Sequence, residues 1–397
     1  MISTIMDLAP SYLARLTIGL FLSYLAVAMP LAVIPIFVTQ WPEFGNGWAG
    51  LAVGIAFIST ILTRNYAGTL SDSRGGRLCM RRGLTIYIVA SALCALPGIA
   101  GLPHIARYVV LVAGRLLLGF GESLTIVGML GWGIGLMGQA RAGRVLAWTG
   151  AAMYGAFAAG GPIGLILYNR AGFLVLMLVA ALLPLIGLGF VQSVPTAPLH
   201  NGQRKAFWSV LGTIRWQGIA VALQGVGFAA LGAFLSLRFM HSGWPYAGLG
   251  LSCFGLAFVA GRFACGHLPD KIGGLRVALI SLAIEAAGQY LIWLAPSPLL
   301  ALAGAVLTGA GCSMVFPSLG VEVVKIVAPH MRGTALGGFS AFQDLAYALT
   351  GPLAGLIADR HGYATIFLFG GLCATAAFCV VLKLLNESLK SATQIET

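Results

Sequence analysis

The sequence predicts an all-α membrane protein of twelve transmembrane helices in two pseudo-symmetric six-helix bundles, with N- and C-termini on the cytoplasmic side. Three observations carry that reading: composition, an internal repeat and the placement of charge. Of 397 residues, 59% are hydrophobic and 9% charged, against about 25% charged in soluble domains. Arg64, Gly68, Leu70, Asp72, Gly75 and Gly76 return 198 residues later as Arg262, Gly266, Leu268, Asp270, Gly273 and Gly274. At an offset of 190, Gly119, Gly121 and Ser123 return as Gly309, Gly311 and Ser313, and Gly143 as Gly333. Gly161-Pro162 returns as Gly351-Pro352 and Arg170-x-Gly172 as Arg360-x-Gly362. A duplicated membrane protein explains the repeat, with eight residues lost from the second half.

The spans follow from the apolar runs, which are long and rich in Leu, Ala and Gly. Such runs suit helices, which satisfy their own backbone polar groups, and not the short alternating strands of a barrel. Breaking the chain at Gly, Pro and charge clusters gives segments 12–38, 48–70, 82–101, 105–130, 141–168, 172–192, 213–240, 246–268, 275–295, 298–324, 333–358 and 364–386. Each is near the length of about 20 residues that crosses a bilayer. The first is too long for a signal-peptide core and is expected to be retained as a helix. A polar connection carrying Pro195, Pro198, Asn201, Gly202, Arg204 and Lys205 divides six segments from six. The expected organisation is an N-terminal bundle at 1–192, a cytoplasmic linker at 193–212 and a C-terminal bundle at 213–397 with a short cytoplasmic tail.

Charge sets the orientation. The net charge is +12, but the cations sit in short turns without interleaved stacking aromatics, which argues against nucleic acid. Arg74, Arg77, Arg81, Arg82, Arg141, Arg144, Arg204, Lys205, Lys271, Arg276, Lys325, Arg332, Lys383 and Lys390 fall on one side if the N-terminus is cytoplasmic. Arg107, Arg170, Arg238 and Arg360 fall on the other, the asymmetry of the positive-inside rule. The lipid bilayer is therefore an expected partner, and a monomer is the expected form, since six segments plus six make a complete unit.

Several function classes are disfavoured. Seven scattered cysteines lack metal-ligand spacing and are expected as buried small side chains. Six histidines form no H-E-x-x-H, so neither a metal site nor an intramembrane enzyme is expected. No phosphate-binding glycine loop of the G-x4-G-K-[ST] type occurs, and no cofactor is expected. Any active transport would draw on an ion gradient.

The loop Gly68-x-Leu70-x-Asp72-x2-Gly75-Gly76-Arg77 resembles the signature between helices 2 and 3 of the major facilitator superfamily. Arg115-x3-Gly119-x-Gly121 is similar to the helix 4 motif of its proton-driven members, and Gly160-Gly161-Pro162-x-Gly164 to part of the helix 5 motif of its drug-efflux antiporters. Gly333-x-Ala335-x-Gly337 through Asp344 to Gly351-Pro352 adds to a likeness with bacterial efflux permeases. Two departures stand out: Gly76 where the family's loop has a basic residue, and Leu165 where the helix 5 motif has a second glycine. The resemblance implies a bacterial inner-membrane, multi-pass transporter of the major facilitator fold that exports a drug-like molecule or metabolite against protons by alternating access. It implies that Asp72 meets the start of segment 11 near Gly333, and Asp270 the start of segment 5 near Gly143, as a cytoplasmic latch. Asp72 pairing with Arg64, Arg74 or Arg77 to hold a tight turn is the alternative. Arg64, Gly68, Asp72, Arg77, Arg262 and Asp270 form the expected cytoplasmic gate. Gly161, Pro162, Gly351 and Pro352 form the expected helix hinges.

Ionisable groups within the membrane are costly and so are functional candidates. Arg115 lies near mid-depth in segment 4, with Glu122 seven residues on along the same face, about 10 Å away along the axis, so direct pairing is not expected. Asp344 lies near mid-depth in segment 11. Asp344 and Glu122 are the expected proton-coupling residues, and the resemblance implies a proton-relay role for Arg115; a structural hydrogen bond for Asp344 and a gate or packing pair for Glu122 are the alternatives. Glu285 is also at mid-depth, but the resemblance puts its helix in the outer ring, where it pairs internally or snorkels. Tyr24, Tyr154, Gln224, Phe228, Phe316 and Gln343 are the expected substrate-cavity residues, with ordinary helix packing as the alternative. Transport of a sugar or an organic anion, by symport or uniport, is the second functional reading, and Arg115 supports its anionic form.

Overall fold

The computed structural model describes residues 2–99, 101–138, 141–197, 211–327 and 332–396. Among these residues there are helices and no strands: α1 Ile2–Leu31, α2 Ile34–Thr39, α3 Asn46–Arg74, α4 Gly76–Ala95, α5 His104–Met137 and α6 Ala142–Gln192. They are followed by α7 Arg215–His241, α8 Leu249–Cys265, α9 Leu268–Ile272, α10 Gly274–Leu294, α11 Pro298–Ile326, α12 Arg332–His361 and α13 Tyr363–Glu396. Nine helices among the described residues are long and apolar enough to cross a membrane, and α8 is a shorter apolar one. Large apolar side chains such as Leu62, Ile105, Phe263 and Leu299 point outward, the surface expected where lipid is the solvent.

Two compact units, Met1–Gln203 and Arg204–Thr397, divide the chain. In the first, α1 packs on α6, and α5 on α3 and α4. In the second, α11 packs on α8 and α10, while α13 packs on α7 and α10. Much of the linker predicted at 193–212 lies outside the described residues.

Glycine punctuates both units alike. Gly75 and Gly273 separate α3 from α4 and α9 from α10, at φ 90° and 91°, which only glycine adopts without strain. Gly172 and Gly362 have φ 80° and 81°. Gly362 separates α12 from α13, and Gly172 interrupts α6 at the same point of the repeat with non-helical φ and ψ. Close approach is repeated too. A methyl group on Gly119 would strike the carbonyl of Ala56, and one on Gly309 the carbonyl of Phe254. These small residues let helix backbones touch.

Of the boundaries that differ from the sequence reading, three have a local cause. The segment predicted at 12–38 divides into α1 and α2, because Pro35 in the first turn of α2 has no N–H to give to the preceding turn. The segment predicted to begin at 82 begins at Gly76, since Arg77, Arg81 and Arg82 extend the helix instead of ending it. The second copy of the loop carries the added short helix α9, with Pro269 in its first turn. The cysteines also differ: Cys79, Cys94 and Cys312 are buried, but Cys253, Cys265 and Cys373 are half-buried and Cys379 is exposed. An apolar thiol needs no burial where the surroundings are lipid.

Candidate functional site

In the first unit, polar chemistry gathers where α1, α3, α4 and α5 meet. Arg115 of α5 is 1% exposed. Its Nε donates to the carbonyl of Ala52 at 3.1 Å and its Nη2 to that of Val53 at 3.0 Å. Both carbonyls belong to α3, so the guanidinium clamps two helices; its Nη1 has no hydrogen-bond partner. Two turns on, buried Glu122 accepts a hydrogen bond from the Tyr24 hydroxyl of α1 at 2.9 Å. Tyr87 of α4, fully buried, lies within electrostatic reach of both Glu122 and Arg115. Tyr24 meets Phe157 edge to face at 6.1 Å, and half-buried Tyr154 lies beside the same ring at 6.0 Å.

The gate residues of this unit surround the glycine turn. Gly68 is buried within α3, Arg64 is half-buried and Asp72 exposed in its last turns. Arg77 Nη2 donates to the carbonyl of Gln192 at 3.0 Å, which ties the start of α4 to the end of α6. Gly161 and Pro162 lie within α6, whose helical dihedrals hold at Pro162 and fail at Gly172.

In the second unit the polar residues form a chain. Gln343 Nε2 of α12 donates to Gln224 Oε1 of α7 at 3.4 Å, and Gln224 Nε2 donates to Glu285 Oε1 of α10 at 3.5 Å. Glu285 and Gln224 are 0% and 1% exposed. Glu285 therefore pairs internally and does not snorkel. Phe228 packs with Phe254 at 5.1 Å and Tyr347 at 5.2 Å, and Phe316 with Phe339 at 4.8 Å. Asp344, next to Gln343, is half-buried on α12. Arg262 sits over the ring of Phe258 at 5.2 Å; Gly351 is buried beside Pro352 within α12. The side chain of Asp270, and Gly143 and Gly333 of the expected latch, lie outside the residues whose surroundings are described.

Arg238, grouped by sequence with the far-side loop cations, is a buried clamp instead. Its Nη2 reaches the carbonyls of Trp293 and Ala295 at 3.2 Å, and the guanidinium lies over Trp244 and Phe367. Its position in the last turn of α7 was legible; the carbonyls it binds at the far end of α10 were not.

The model of the Major Facilitator Superfamily matches residues 16–273 and 218–397. The chain belongs to the major facilitator superfamily. A Salmonella typhimurium protein described as an uncharacterized MFS-type transporter is 44% identical over 94% of this chain and 97% of its own length. A Burkholderia pseudomallei protein of the same description is 38% identical over 90% of this chain and 88% of its own. Among solved structures, a D-xylose–proton symporter aligns with a TM-score of 0.76 at 16% identity, over 93% of this chain and 96% of its own. A nucleoside transporter aligns at 0.73 and 15%, over 94% and 99%. This major facilitator chain is a multi-pass membrane transport protein and not an enzyme, with a small-molecule substrate as the family implies.

Proposed function

We propose that the protein is a secondary active transporter that exports a small organic molecule, drug-like or a metabolite, in exchange for protons by rocker-switch alternating access. The observation that carries this reading is the buried Glu122 carboxyl held by the Tyr24 hydroxyl at 2.9 Å, two turns from a buried arginine. Protonating such a carboxyl removes a charge from within the membrane and so biases one conformation over another. Asp344, beside Gln343 on α12, is the second coupling carboxylate of the proposal, and Arg115 tunes Glu122 electrostatically. Tyr24, Tyr154, Gln224, Phe228, Phe316 and Gln343 contribute polar and aromatic surface for an amphipathic solute. The latch of Asp72 and Asp270 and the hinges at Pro162 and Pro352 belong to the same proposal.

Counting α6 as two spans about Gly172 supports twelve crossings in two bundles, and the cations of α4 and of the loops support cytoplasmic termini. The bacterial relatives support an inner-membrane localisation. A second reading, transport of an organic anion or sugar, is favoured in its anionic form by the buried, unpartnered Nη1 of Arg115.

Proteoliposomes with an internal fluorescent pH reporter test the proposal. Candidate solutes are added to wild type, Glu122→Gln and Asp344→Asn. Solute-triggered proton movement that either variant abolishes supports exchange through that carboxyl. Solute movement without proton flux in wild type overturns it.

A further inference from the structure

Glu285 lies eleven residues into α10, about 16 Å from its start by the helical rise, and is wholly enclosed. Its partners are neutral: the Gln224 amide of α7 at 3.5 Å and the Cys312 thiol of α11. The titratable side chains that reach it are Cys312 and Cys373, from the two helices packed most closely on α10. No Lys, Arg or His among the described residues acts on it. Its Oε2 has no hydrogen-bond partner. One turn further, Gln289 Nε2 donates to the carbonyl of Gly227 and to Thr308 Oγ1, both at 3.3 Å, which fixes α10 against α7 and α11.

The internal repeat gives this site a counterpart. At the offset of 198 Glu285 corresponds to Tyr87, and at the offset of 190 Cys312 corresponds to Glu122. Packing makes the same assignment. A methyl group on Gly121 would lie 3.2 Å from the backbone nitrogen of Tyr87, and one on Gly311 2.5 Å from that of Glu285. Each unit thus buries one carboxyl at the same helix junction, on opposite members of the helix pair, and in each the first long helix supplies a donor: Tyr24 or Gln224.

We propose that Glu285 is a further proton-binding carboxyl of the second unit, in addition to Asp344, and that Gln224 relays its protonation state to Gln343. The proposal rests on the proton-coupled reading above. With Glu285 ionised, its oxygen accepts from the Gln224 amide, whose own oxygen accepts from Gln343, the order the distances describe. Taking up a proton from a hydronium ion forms one O–H bond on Glu285 and breaks one on the hydronium, which leaves as water. The acid then donates to Gln224 Oε1, the Gln224 amide turns, and its NH2 donates to Gln343 Oε1. One proton reverses the polarity of the whole chain, because a primary amide is donor at one end and acceptor at the other.

Infrared difference spectroscopy of the purified protein in lipid films, titrated from about pH 5 to about pH 9 around the range where a buried carboxyl changes state, tests this without a substrate. A component of the protonated-carboxyl band that titrates in wild type and in Glu122→Gln, and is lost in Glu285→Gln while the Glu122 component remains, is expected. In Gln224→Leu the band persists at higher frequency, since its hydrogen-bond partner is gone; this variant keeps the test valid if Glu285→Gln fails to fold. A titrating carboxyl band unchanged by Glu285→Gln overturns the proposal while leaving proton coupling through Glu122 intact, and a spectrum with no titrating carboxyl band overturns both. A band unmoved in Gln224→Leu overturns the relay. Solute flux without proton movement in wild-type proteoliposomes instead overturns the proton-coupled reading and the coupling role of Glu285 with it.

Discussion

Tyr24 and Glu122, 98 residues apart in sequence, meet through a 2.9 Å hydrogen bond in the interior of the first unit. The bond joins α1 to α5 and gives a buried carboxyl a neutral donor. Removing one donor from a buried acceptor costs about 1–3 kcal/mol. Tyr24→Phe is therefore expected to lower the thermal midpoint in detergent by that equivalent. Glu122→Gln, which keeps an acceptor oxygen, should unfold close to wild type while losing proton movement. A Tyr24→Phe protein as stable as wild type would remove the bond from the account.

Arg115 places two guanidinium nitrogens on adjacent carbonyls of α3. Lysine offers a point charge without the planar fork, so Arg115→Lys is expected to destabilise by about 2–3 kcal/mol and Arg115→Met by more than that. Denaturant-induced unfolding in mixed micelles checks the order; equal stability of all three proteins would contradict it.

The turn glycines should respond as a pair. Gly75→Ala and Gly273→Ala force a side chain into φ near 90°, at about 1–3 kcal/mol each. Gly189→Ala is the control: it lies within α6 with nothing within 4 Å of an added methyl group, and alanine there is expected to stabilise by about 0.5–1 kcal/mol. Parallel melting curves of the three variants decide whether the repeat holds in energy as well as shape.

Outside the spans, Glu43 meets His104 Nδ1 at 2.7 Å. The hydrogen bond from His104 holds the Glu43 carboxyl below its ordinary value. A carboxyl depressed in the folded state contributes stability above its unfolded value, about 4.3, and loses it as pH falls through the folded value. His104→Ala is expected to move Glu43 upward toward the ordinary glutamate range in a ¹³C-carboxyl titration, because the largest of the contacts that lower it is gone while the backbone hydrogen bond to its carboxyl stays. The effect on unfolding is small, because both groups face solvent.

Much of this molecule was present in its residue order. Composition requires a membrane solvent, and the repeat marks both the glycine turns at Gly75 and Gly273 and the helix breaks at Gly172 and Gly362. Those features are local, since a φ near 90° selects glycine whatever surrounds it. Helix ends were less legible where charges line a first turn, as at Arg77, Arg81 and Arg82, because cations do not stop a helix. Pairings depended on the tertiary structure alone. Nothing in sequence spacing joins Tyr24 to Glu122, Gln224 to Glu285, or Arg238 to the carbonyls of Trp293 and Ala295. A helix periodicity reports which face a side chain occupies, whereas its partner depends on which other helix is packed there. For a buried polar group that partner decides whether burial costs free energy or stabilises, and packing across the unit supplies it.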